Sequence, residues 1–108
     1  MQLSDIPDSV IQQAKSYSEN YLREESCGII YRDGILKFKP CENISHNRQA
    51  FFEINPHYLI EYNVVCIYHS HVKSSSEPSS NDITQSESLG LPYLIYSLRD
   101  KNFTLYSV

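Results

Sequence analysis

With 108 residues, the chain has room for one hydrophobic core and too little length for two, so a single domain spanning 1–108 with one site is expected. Hydrophobic residues make up 41%, charged residues 20% and aromatic residues 12%, proportions that exclude a disordered or fibrous chain. Nine Lys and Arg against 13 Asp and Glu leave a net charge of -4, which offers no electrostatic footprint to nucleic acid or to an anionic membrane.

The opening Met1-Gln2-Leu3-Ser4-Asp5 lacks the basic and apolar regions of a signal peptide, and no apolar run approaches the roughly 20 residues that span a bilayer. A cytoplasmic protein is therefore expected. Val10, Ala14, Tyr17 and Tyr21 then recur at three- and four-residue spacing behind Asp5-Ile6-Pro7-Asp8, the pattern of an amphipathic first helix. Cys27 to Tyr31 and Ile35 to Phe38 flank Arg32-Asp33-Gly34, where Asp-Gly suits a tight turn, so they read as a hairpin. The polar stretch Glu42 to Gln49 predicts a loop, and the aromatic run Ala50 to Ile54 a third strand. Pro56 to Tyr62 suggests a short helix. Val64 to Tyr68 is a continuous β-branched and apolar run, as in a central strand covered on both faces, and it ends at His69.

Residues 72–81 hold five serines and form an expected loop leading to a helix from about Ser80 to Leu89, stopped near Gly90 and Pro92. Tyr93 to Leu98 and Phe103 to Val108 close the chain as a second hairpin. The fold class is thus α+β, a mixed but mainly antiparallel sheet flanked by helices. Cys27, Cys41 and Cys66 form an odd set without a Cys-x-x-Cys pair, against both a disulfide framework and a thiolate zinc knuckle. They read as buried or incidental thiols.

The chemistry concentrates where the central strand stops. His69 and His71 are two residues apart, so on a strand both side chains point to one side and can converge on one ion. Asp82 returns after the serine-rich loop as a third candidate ligand. Imidazole nitrogen and carboxylate oxygen both suit zinc, and three protein ligands leave a fourth position for a water activated near neutral pH. Ser70 between the histidines must point the other way, which argues against a nucleophilic serine. His46 and His57 lie in no ligand spacing and read as surface histidines; the nine tyrosines read as core and rim.

The full string is His69-Ser70-His71, seven residues, Ser79, two residues, Asp82. It resembles the H-S-H-x7-S-x2-D motif of the JAMM metalloproteases, also called MPN or Mov34, and its four fixed residues arise by chance on the order of a few times per million positions. Glu25-Ser26-Cys27-Gly28 resembles the family's E-x-C-G, and Leu91 to Ser97 the strand after its motif helix, so the likeness covers nearly the whole chain. The resemblance implies a cytidine-deaminase-like fold, zinc on His69, His71 and Asp82, Glu25 as catalytic base and Ser79 as donor to the developing oxyanion. Glu24, one residue from the matching position, reads as a solvated charge. Many relatives carry proline after the second histidine, where this chain has Val72-Lys73, an exchange that leaves the loop freer.

The resemblance further implies a zinc metallopeptidase or isopeptidase acting on a peptide or on the tail of a ubiquitin-like protein. The short chain is similar to the compact prokaryotic and phage branch, found in phage tail assembly proteins beside a cell-wall peptidase domain, which would place it in a virion. The competing expectations are a non-catalytic scaffold and a tail-assembly module in which zinc serves stability alone.

Overall fold

The structure, a computed structural model, describes residues 1–107. A 3-10 turn at Leu3–Asp5 leads into α1 (Asp8–Ser18), followed by β1 (Cys27–Asp33), β2 (Ile35–Cys41), α2 (His57–Glu61), β3 (Val64–His71), α3 (Ser80–Leu89), β4 (Tyr93–Ser97) and β5 (Asn102–Tyr106). The strands form one sheet in the order β2-β1-β3-β4-β5. All neighbours are antiparallel except β3 and β4, which run parallel through the α3 crossover. The α+β class and the mainly antiparallel sheet are as the sequence implies, and the apolar run before His69 is the central strand.

Strand alternation divides the core into two layers. On one face, Val10 and Ala14 of α1 pack with Ile30, Cys66, Tyr68, Leu94 and Tyr96. On the other, Cys27, Ile29, Ile67, Tyr93 and Ile95 pack with Phe52, beneath Leu59, Tyr62 and Leu91. Ser70 points to the α1 face, where its Oγ accepts a hydrogen bond from the Ser26 amide at 2.9 Å and meets Ser26 Oγ at 3.0 Å. Ser26 Oγ in turn lies 2.6 Å from Ser18 Oγ, which also bonds the Tyr68 hydroxyl. These buried hydroxyls satisfy one another and fasten the end of α1 to β3, which is the structural role the alternation assigns to Ser70.

Four local expectations need adjustment. The first helix stops at Ser18, so Tyr21 lies beyond it, its amide donating to Ser18 O at 2.9 Å and its ring 5.0 Å from that of Tyr17. Residues 50–54 form no strand. Their backbone is held by residues 43–44 instead: Asn43 donates to Phe51 O at 3.0 Å and accepts from Glu53 N at 3.1 Å, and Ile44 N donates to Glu53 O at 2.9 Å, so the segment is an arm fastened to the preceding loop and joins no ladder of the sheet. The loop after His71 is firmly tied, although the missing proline suggested a freer one. Ser97 Oγ donates to Ser74 O at 2.7 Å, and Ser76 Oγ meets Thr104 Oγ1 at 2.6 Å. Finally, β5 ends at Tyr106, and Val108 of the expected closing strand lies outside the described residues.

The hairpin turn does use Gly34 at φ 75°, and α3 ends in the left-handed Gly90 at φ 68°. The three cysteines are free and buried, and burial pushes Cys41 up to about 11 and Cys66 up to about 12, so none is a reactive thiolate. Among the described residues, no helix is long and apolar enough to cross a membrane.

Gly28 is required by close approach. A Cβ there would stand 2.6 Å from Lys39 O and 2.7 Å from the Phe38 ring. Gly28→Ala should cost about 1–3 kcal/mol through overpacking of the β1–β2 pair, read as a lower urea midpoint with an unchanged slope.

Candidate metal centre

The β3 register places His69 and His71 on one face, at the C-terminal end of the central strand, and α3 begins nine residues later with Asp82 in its first turn. Asp82 is held there by a capping box: its Oδ2 accepts from Ser79 N at 2.9 Å, while Ser79 Oγ accepts from Asp82 N at 3.1 Å. The helix dipole favours a carboxylate at this position. One motif residue thus fixes another, and Ser79-x-x-Asp82 is the spacing such a box requires.

The donor atoms converge. His69 Nε2 lies 3.1 Å from Asp82 Oδ1, His71 Nε2 lies 3.0 Å from Asp82 Oδ2, and the two Nε2 atoms are 3.2 Å apart. Ligands at about 2.0–2.1 Å from a common tetrahedral centre stand roughly 3.3–3.4 Å from one another; the two imidazole nitrogens are close to that spacing, and the carboxylate turns a different oxygen to each of them. Among the described residues, His69, His71 and Asp82 are the one group of His, Cys, Asp or Glu side chains positioned to hold a metal ion.

Tautomer chemistry points the same way. His71 Nδ1 is 2.7 Å from the Ser75 carbonyl, a contact that requires an N–H on that nitrogen. In the neutral ring the Nε2 lone pair is then left facing the Asp82 carboxylate, an arrangement that only a proton or a cation between them stabilises. His69 is completely buried, and its Nδ1 has no hydrogen-bond partner among the described residues. Its ring is held by packing: Phe52 stacks on it at 4.2 Å and Tyr93 meets it edge-on at 5.6 Å. Phe52 and Tyr93 do the orienting that a hydrogen-bonded carboxylate commonly does for a ligand histidine.

Burial opposes charge on all three groups, and the outcome differs for each. It lowers His69 below the ordinary histidine value. It also pulls His71 down, but the bonds to Asp82 and the Ser75 carbonyl outweigh it and raise this pKa. For Asp82, burial is overridden by the contacts with His69 and His71, and its carboxyl stays far below the usual range. Asp82 is therefore anionic at neutral pH, as a cation site requires.

Glu25 lies two residues ahead of the start of β1. The β1–β3 register pairs Cys27 with His69, and Ser70 N donates to Ser26 O at 2.9 Å, so extending the register by two residues puts Glu25 across from His71. Its backbone is fixed by Asn43 Nδ2 donating to Glu25 O at 2.8 Å and by Glu25 N donating to Arg48 O at 2.7 Å. Glu25, His71, Ser79 and Asp82 line one cavity of about 110 Å³. Burial pushes the Glu25 carboxyl up to about 8; the charge of His71 lowers it and that of Asp82 raises it further. Glu24 faces outward and pairs with Arg48 at 3.7 Å, and His46 and His57 are exposed, consistent with solvated roles.

All five residues singled out by the motif are thus brought together. Sequence reasoning did not find Asn43 and Phe52. Asn43 bonds both Glu25 and the 51–53 arm, but a single Asn in a polar loop carries no periodic signal. Phe52 was visible only as part of an aromatic run.

Comparison with known proteins bears on the family and the fold. The family described as "Prokaryotic homologs of the JAB domain" matches residues 7–106. No curated protein matches the chain. Among solved structures, a Desulfitobacterium hafniense protein shares 20% identity at a TM-score of 0.69, covering 90% of this chain and 77% of its own. A Salinibacter ruber protein shares 21% identity at a TM-score of 0.55, covering 95% and 80% respectively. Both likenesses speak to the fold.

Acidification should weaken metal binding from above the ordinary histidine pKa. A protonated His71 cannot ligate, and because its pKa is raised, protons begin to compete at higher pH than at a free imidazole. Zinc titrated calorimetrically into the protein should lose affinity about tenfold per pH unit once His71 protonates, and His71→Ala should abolish this dependence along with tight binding.

Proposed function

The chain belongs to the prokaryotic homologues of the JAB domain, and on that premise we propose that it is a zinc-dependent hydrolase of amide bonds, a metallopeptidase or isopeptidase. The observation that carries the proposal is the placement of Glu25 in one small cavity with His71 and Asp82, two of the three clustered candidate ligands. A purely structural metal site has no use for a buried second carboxyl that stands beside the ligands without joining them.

Zinc held by His69, His71 and Asp82 would supply a Lewis acid able to polarise a water and the scissile carbonyl. The chain's own groups divide the rest. Glu25, whose burial holds its carboxyl near neutrality and which a neighbouring cation would draw lower, takes a proton from the attacking water and returns it to the leaving amine. The Ser79 hydroxyl already accepts from Asp82 N, and its own proton is available for a developing oxyanion. Ser79 is exposed on the cavity wall, open to a substrate. Phe52 and Tyr93 keep His69 in place and keep water from its far side. The backbone bonds from Asn43 and Arg48 hold Glu25 at its station.

A peptide or the tail of a ubiquitin-like protein is the substrate this chemistry suits. Cytoplasmic synthesis and assembly into a phage tail, beside a cell-wall peptidase domain, complete the proposal, supported by the likeness to the compact phage branch. A second reading, a scaffold stabilised by zinc, is favoured by one feature: all three ligands sit on the β3-α3 crossover, so an ion there would pin the helix to the sheet.

Glu25→Gln separates the two. The variant should keep its melting temperature and its zinc and lose about 10²–10⁴-fold in turnover of an amide substrate. Equal turnover in variant and parent would remove Glu25 from the chemistry and leave the scaffold reading in possession.

A further inference from the structure

The cavity that holds Glu25 shares walls with larger hollows on either side. Phe52 lines both this cavity and a groove of about 410 Å³ whose other walls include Ile54, Leu59, Ile67, Leu89 and Tyr93. Ala50 lines both the cavity and a third hollow of about 460 Å³, bordered by Leu22, Arg23 and Lys73. The 50–52 arm therefore runs past three adjoining spaces, with the candidate metal centre in the middle one.

The two outer spaces differ in chemistry. The groove beyond Phe52 is walled mainly by aliphatic and aromatic side chains, and Leu89 on its edge is 44% exposed, an unfilled apolar surface. At the opposite hollow, Arg23 and Lys73 have no ion-pair partner among the described residues, whereas Lys37, Arg48, Arg99 and Lys101 do. Lys15, Arg32 and Lys39 are unpaired among the described residues as well, but Arg23 and Lys73 line one hollow together and give it a local positive field in a chain of net charge -4.

We propose that the three spaces are successive subsites for one extended peptide. A bulky apolar side chain sits in the groove beyond Phe52, the scissile bond crosses the metal centre, and an acidic side chain faces Arg23 and Lys73. The proposal rests on the hydrolase reading and gives it a substrate class, an acidic and apolar peptide segment. The apolar contact supplies most of the affinity, because a buried leucine side chain is worth roughly ten- to a hundredfold, while the exposed ion pairs add a few-fold, sensitive to salt.

The test uses zinc-loaded Glu25→Gln protein, so that peptides are bound without being cut, and fluorescence anisotropy of labelled peptides of one length. Each peptide carries leucine or serine toward one end and aspartate or lysine toward the other, at varied separation. Two further variants act on the subsites alone. Ser88→Trp fills the groove from the exposed face of α3, and Arg23→Glu with Lys73→Glu reverses the charge. The peptides pairing leucine with aspartate should bind tightest. Ser88→Trp should weaken them about tenfold while leaving serine peptides unaffected, and charge reversal should transfer the preference to lysine.

Affinity that ignores both positions, or no binding at all, overturns the proposal. So does a Ser88→Trp protein whose sedimentation mass changes while its peptide affinity does not, since the groove would then be covered by a second copy of the chain. Turnover of the same peptides by the parent protein separates the two levels. A preserved binding pattern without turnover refutes the hydrolase and leaves the subsites standing, whereas turnover indifferent to leucine and aspartate refutes the subsites and leaves the hydrolase.

Discussion

The carboxylate of Asp82 is buried, and the rest of the site is arranged around the need to keep it charged. A lone carboxylate out of water is costly. Here it receives the Ser79 amide, stands at the positive end of α3 and faces two imidazole nitrogens at 3.0–3.1 Å. The same contacts give α3 its start and fix the crossover to β4. Where the helix begins and where a cation could sit are consequently decided by the same atoms.

The second requirement is that the base reach the site from a different part of the chain. Two features of the sheet accomplish this. Gly28 lets β2 lie close against β1, and the antiparallel β1–β3 register carries the segment ahead of β1 alongside His71. Asn43 then couples Glu25 to the 51–53 arm with bonds of 2.8 to 3.1 Å. That arm brings Phe52 onto His69. The two sides of β3 divide the labour: Ser70 and Tyr68 join the hydroxyl network under α1, while His69 and His71 turn to Asp82 on the other side.

Much of this was legible because the relevant signals are local or periodic. Period-two alternation set the directions of His69, Ser70 and His71, and the end of α3 followed from Gly90 and Pro92. Residues 50–54 misled because β-propensity reports a half-buried extended segment and says nothing of whether a ladder partner is at hand. Here the Asn43 side chain and a single backbone bond from Ile44 N to Glu53 O stand where a neighbouring strand would pair. The serine-rich loop looked unconstrained for a related reason. Its side-chain and carbonyl partners, Ser97 and Thr104, are more than twenty residues away, and tertiary pairing of that kind leaves no mark on sequence spacing. The opening helix ended early because Ser18 turns into the buried hydroxyl network, which the spacing of Tyr17 and Tyr21 does not register.

The account stands or falls on a metal ion at the convergence of His69, His71 and Asp82. The most direct measurement is a crystal structure of the zinc-treated protein with diffraction collected across the zinc absorption edge. The account predicts a single strong anomalous peak about 2.0–2.2 Å from His69 Nε2, His71 Nε2 and an Asp82 oxygen, with a solvent oxygen in the fourth position and Glu25 within hydrogen-bond reach of it. A peak elsewhere, a fourth protein ligand closing the site, or the three side chains paired by protons alone in the presence of zinc would contradict it.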